Sequence, residues 1–104
     1  MNNKKYTITY LPLFYKDLNK ITKYINNKLN NKMAAENLIN EVEQKIEKRA
    51  YNPISYEKYS SSAQRKHTYY RLYVKNYTIF YIVKDNIIEI RRILYNKRNF
   101  NNLI

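Results

Sequence analysis

The sequence predicts an α+β domain, ordered β-α-α-β-β-β, in which a helical hairpin packs on one face of a mostly antiparallel four-stranded sheet. Three observations predict it. Residues 5–10 alternate apolar and polar side chains with a period of two. Residues 12–50 carry apolar side chains at helical spacing in two segments. Three β-forming runs then follow between residues 68 and 94, separated by short polar connections. The 104 residues suffice for one domain, and we expect residues 1–104 to form it.

The first strand sets Tyr6, Ile8 and Tyr10 against Thr7 and Thr9. Pro12 suits the first turn of a helix. Phe14, Leu18, Ile21, Ile25 and Leu29 then form one stripe of a helix over 12–30, with the polar run 26–32 making the turn. A second helix over 33–50 has the stripe Ala35, Leu38, Ile39, Val42 and Ile46, and ends before Pro53. The short connection makes the two helices an antiparallel hairpin. Residues 52–66 read as a loop. The strand over 68–75 sets Tyr70, Leu72 and Val74 against Tyr69, Arg71 and Tyr73. The strand over 77–83 is apolar on both faces except at Thr78, as befits a central strand, and the last strand covers 87–94. With no glycine in the chain, Asn76 and Asn86 are expected to supply positive φ in the connections. The helices should cover one face of the sheet and leave the other open.

Composition narrows the chemistry. The absence of cysteine excludes disulfides, Cys-ligated zinc and thiol catalysis. A single histidine argues against a histidine-based metal site, and no phosphate-binding glycine loop or hydrolase elbow occurs, so neither a metal nor a cofactor is expected. The segment MNNKKYTITY lacks an apolar signal, and no run reaches the roughly 20 residues of a membrane span; the expectation is a cytoplasmic protein with no membrane partner. The formal charge of +12 points to an acidic or polyanionic partner, although a chain rich in Asn, Lys, Ile and Tyr also reflects AT-rich coding. The arginines discriminate better, because five of six lie after residue 64. Arg71, one of Arg91 and Arg92, Lys97 and Arg98 form the candidate phosphate-gripping group, with Tyr69, Tyr73 and Tyr95 beside them to stack on bases. Because Arg91 and Arg92 are neighbours on one strand, one of them must face the helices or their rim. A solvated basic face meeting an acidic protein explains the same residues. His67 is either a general acid or base or a surface residue. Glu57 and Glu89 are candidate bases, with a structural ion pair the simpler role for Glu89.

The stretch YYRLYVKNYTIFYIVKDNIIEIRRILYNKR (69–98) resembles the C-terminal half of RelE/ParE-type toxins of type II toxin–antitoxin systems. That family has a Tyr-Arg strand, a hairpin entering a Y-x-I-F-Y strand, and an I-x-I-x-R-I-L-H-x-R-R strand and tail. Asp17-Leu18, Ile21 and Tyr24-Ile25 in the first helix, and Ala34-Ala35 at the entry to the second, extend the resemblance. It implies a growth-inhibiting, plasmid-stabilising toxin neutralised by a cognate acidic antitoxin. Two targets follow from it. ParE-like members poison DNA gyrase, while RelE-like members cut ribosome-bound mRNA without a metal, using the RNA 2′-OH. By resemblance Arg71 falls at a strand lysine of RelE and Arg98 at a tail arginine, making these the candidate catalytic pair with His67 and Tyr95 in reserve. Thr78 stands where RelE has an arginine, Ile104 where it has a tyrosine, and Tyr95 where the motif has histidine. The loss of charge at Thr78 favours the gyrase-directed reading over the nuclease, because an in-line phosphoryl transition state depends on placed charge. A nucleic-acid-binding module without toxicity is the remaining alternative.

Overall fold

A computed structural model describes residues 4–56, 58–59, 67–98, 100 and 103–104. Strand β1 (Thr7–Tyr10) leads through Leu11 into helix α1 (Pro12–Lys23), which continues as a π-helical turn over Tyr24–Lys28. Helix α2 (Lys32–Arg49) follows, then a 3-10 turn (Pro53–Ser55), β2 (Tyr70–Val74), β3 (Tyr77–Lys84) and β4 (Ile87–Tyr95). The sheet order is β1-β4-β3-β2, with β1 parallel to β4 and the other pairs antiparallel. The expected α+β architecture is therefore the observed one. Asn31 starts α2, its side-chain oxygen accepting the Ala34 N–H at 3.0 Å.

The main core lies between the hairpin and the sheet. Phe14, Leu38, Val42 and Ile46 from the helices meet Leu72, Val74, Ile79, Tyr81, Ile88, Ile90 and Ile93, with Leu18 and Ile21 half-buried at its edge. Leu29 departs from the expected stripe and is 58% exposed. The π turn explains this, since the Leu29 N–H reaches back five residues to the Tyr24 carbonyl. The widened turn advances the helical phase less per residue and rotates Leu29 off the core face.

Two expectations are corrected here. The positive φ values fall on Lys75 (53°) and Asp85 (53°), not on Asn76 and Asn86, and on Asn30 (52°) between the helices. The second sheet face is also not left open. Tyr69, Phe80, Ile82 and Leu94 form a smaller core beneath Tyr59, Phe100, Leu103 and Ile104. A strand apolar on both faces needs two covers, and the C-terminal tail supplies the second.

Candidate functional site

The second face carries most of the sequence-predicted residues. Register places Arg71 opposite Phe80 and Tyr73 opposite Thr78. The Arg71 guanidinium lies 4.8 Å from the Tyr59 ring centroid, and its Nη1 donates to the Tyr73 hydroxyl at 2.9 Å. Tyr69 is buried in the second core rather than offered for stacking, whereas Tyr73 is 45% exposed.

On β4 a β-bulge separates the two arginines. Phe80 pairs with Arg92 and Tyr81 with Ile90, so Arg91 is the extra residue. Arg91 stays with Glu89, which also faces Lys84 at 3.7 Å, and its guanidinium sits 5.5 Å from the Tyr69 ring centroid. Arg92 goes to the helix rim. Its Nε and Nη2 donate to the Asp17 carboxylate at 2.7 and 2.9 Å, and its Nη1 donates to the Leu103 carbonyl. Asp17 accepts the Ile93 N–H as well, at 3.1 Å. Strand β1 ends opposite Ile90, so the carboxylate takes over a backbone donor that the parallel neighbour no longer reaches. Arg92 is thus committed to a half-buried structural pair.

The tail disperses the remaining candidates. Tyr95 packs on Tyr77 with ring centroids 5.8 Å apart, on the helix-covered face, away from Arg71. It lines an apolar groove of about 570 Å³ together with Lys20, Ile21, Tyr24, Leu29, Asn76 and Tyr77. Lys97 and Arg98 are exposed in the turn after β4, where the Arg98 N–H bonds the Tyr95 carbonyl at 3.0 Å. Thr78 is only 1% exposed, and its hydroxyl is 2.6 Å from the Asn96 side-chain oxygen. Phe100 sits on Phe80 at 4.8 Å and Ile104 joins the same core. His67 is half-buried in a bend three residues before β2, at the end of that strand away from the Asn76–Asn96 corner. Glu57 and Arg65 lie outside the described residues. Among the described residues, no group of three His, Cys, Asp or Glu side chains is gathered to hold a metal ion.

Three residues that organise this region escape sequence reasoning: Asp17, Tyr59 and Arg49. Arg49 of α2 donates from Nη1 to the Arg71 carbonyl at 2.8 Å and to the Tyr81 hydroxyl at 2.9 Å. Tyr81 in turn donates to the Pro53 carbonyl at 2.7 Å. Burial pushes the Tyr81 phenol above its ordinary 10.0, against the lowering pull of Arg49. The sequence signals were the place of Asp17 in the Asp-Leu motif of the first helix, without its role, and an arginine in the last turn of α2.

The family model described as the ParE toxin of the type II toxin–antitoxin system parDE matches residues 8–100. Among curated proteins none matches the sequence. Of solved structures, the chromosomal ParDE toxin–antitoxin system from P. aeruginosa contains a chain similar at a TM-score of 0.71 and 14% identity, covering 88% of this chain and 96% of that one. The RelB–RelE antitoxin–toxin complex from Methanococcus jannaschii contains another, at a TM-score of 0.51 and 21% identity, covering 92% and 99%. At these identities the two structures are likenesses of fold.

Proposed function

This chain belongs to the ParE toxin family of type II toxin–antitoxin systems, and on that premise we propose that it arrests growth by binding DNA gyrase and is silenced by a cognate acidic antitoxin. One observation carries the choice of a binding protein over a nuclease: the positions a RelE-type ribonuclease would use are engaged, buried or turned away. Arg71 is tucked against Tyr59 and Tyr73, Thr78 is buried, Tyr95 is on the other face, and Ile104 is in the second core. Among the described residues, these positions do not direct their charge at one point where a phosphoryl group could sit, which is what in-line transfer requires. Arg98 and Lys97, exposed beyond β4, are the cations we assign to the target surface. Arg71 instead holds Tyr59 and Tyr73, through its guanidinium over one ring and a hydrogen bond to the other.

Purified toxin should block gyrase supercoiling and leave ribosome-bound mRNA intact when the two assays are run side by side. Arg98→Ala should weaken inhibition by about tenfold, the range of a lost charge-assisted contact, with an unchanged melting temperature. Cleavage of the mRNA, abolished by the same substitution, would decide for the endonuclease instead. The antitoxin reading rests on the +12 charge and the apolar groove between α1 and the β2–β3 corner. Association should therefore slow between low and moderate salt, and a rate indifferent to ionic strength would refute the steering.

A further inference from the structure

Strand β2 is an edge of the sheet, and its outward carbonyls are all occupied. The Tyr69 carbonyl accepts the Tyr59 N–H at 2.7 Å, the Arg71 carbonyl accepts Arg49 at 2.8 Å, and the Tyr73 carbonyl accepts the Lys45 ammonium at 3.2 Å. With these carbonyls engaged the edge is a poor template for an added strand, which is the mode an extended peptide would use there. What the capping leaves is a groove of about 270 Å³ between α2 and the edge, lined by Lys45, Lys48, Arg49, Tyr56, Leu72 and Tyr73. Tyr56 is 49% exposed, with the Arg49 guanidinium stacked 3.6 Å from its ring centroid. Lys45 and Lys48 also line the adjoining depression, which extends the cationic wall to Lys75. Glu41 is the one acidic side chain lining either depression, and it is shared by Lys45 at 3.5 Å and Lys75 at 3.4 Å. Lys48 is exposed and forms no ion pair with a described residue.

From the lysine wall, the exposed Tyr56 ring and the capped β2 edge we infer that this groove binds single-stranded nucleic acid, with phosphates on Lys45, Lys48 and Lys75 and a base stacked on Tyr56. Cations tracking a backbone beside aromatic faces are the two elements such binding requires, and neither needs a free sheet edge. This groove uses residues other than Arg98 and Lys97, and it gives the toxin a contact with nucleic acid in addition to any protein target.

The test is fluorescence anisotropy with a labelled oligothymidylate of about 12 nucleotides, a size within the reach of one such groove. Lys48→Glu should weaken binding by about tenfold and flatten the salt dependence, since each lost phosphate contact removes about 0.7 from the log–log slope. Lys16→Glu, the same charge change on the exposed side of α1, should cost about twofold or less through the long-range field alone. Tyr56→Leu should weaken binding by about tenfold without changing the salt slope, because stacking releases no counterion. Equal losses for the Lys48 and Lys16 variants would overturn the site, leaving only diffuse attraction to a basic protein. A poly-glutamate peptide of matched charge that binds more tightly, with the same dependence on Lys48, would overturn the choice of ligand in favour of an acidic protein. An oligonucleotide duplex binding as well as the single strand would overturn the stacking. Thermal melts of each variant separate these outcomes from unfolding.

Discussion

The two faces of the sheet are built on opposite terms. One is covered by some 40 residues of helical hairpin, and its core joins both helices to all four strands. The other is covered by Tyr59 and three side chains of the tail, and charged residues stand among its apolar ones. On the first face a buried position is apolar because nothing else could be solvated there. On the second, Arg71 and Arg91 survive because each has an aromatic ring or an acceptor beside it. The helix-covered face therefore carries stability, and the tail-covered face combines modest stability with exposed charge.

The sharpest way to break this comparison is to place the same charge on both sides. Leu38→Asp should unfold the protein at 25 °C, because Leu38 is 1% exposed and an unpaired carboxylate there costs more than about 4 kcal/mol. Leu103→Asp, on a half-buried tail residue, should cost about 1–2 kcal/mol and leave a cooperative transition. Equal loss in thermal melts followed by circular dichroism would mean that the tail is as integral as the helices.

The boundary between the two faces is the Asp17–Arg92 pair, whose side chains are 10% and 14% exposed. Asp17→Ala should cost about 3–5 kcal/mol, because it strands a half-buried guanidinium and the Ile93 N–H together. Asp17→Leu combined with Arg92→Met should recover much of that loss, since an apolar replacement removes the uncompensated charge. A double variant no better than Asp17→Ala would show that the hydrogen bond to Ile93 matters more than the pair.

Smaller effects refine the helix-covered side. The Tyr81 phenol is held above 10.0 by burial, so its neutral form is favoured in the folded state. The contribution is complete below about pH 10, the unfolded value, and is lost as pH rises toward the folded one. Tyr81→Phe should cost about 1–2 kcal/mol at neutral pH, by removing the link between Arg49 and the Pro53 carbonyl, and should flatten the alkaline decline. An unaltered decline would assign it to other groups. Least of all, Asp85→Gly should stabilise by about 0.5–1 kcal/mol, because Asp85 holds φ at 53° where a side chain is strained. A lower melting temperature would mean that the aspartate side chain supports its turn.

The sequence by itself determined the elements and their order, because periodicity is local. Alternation at Tyr6, Ile8 and Tyr10, the α2 stripe from Ala35 to Ile46, and the doubly apolar run from Ile79 to Ile82 each report burial from neighbours a few residues away. It also identified Arg71, Tyr69 and Tyr73 as residues of one strand face, for the same reason. Tertiary structure decided what those faces meet. The double apolarity of β3 required a second cover without saying that Phe100, Leu103 and Ile104 provide it. Arg92 reads as a free cation until Asp17, 75 positions earlier, is brought beside it. Tyr95 reads as a companion of Arg71 until the β3–β4 register sets it against Tyr77 on the other face. Arg49 reads as the solvated end of a helix until the hairpin lays it along the β2 edge. In each case the partner lies far along the chain, and the pairing follows from packing geometry that no local pattern encodes.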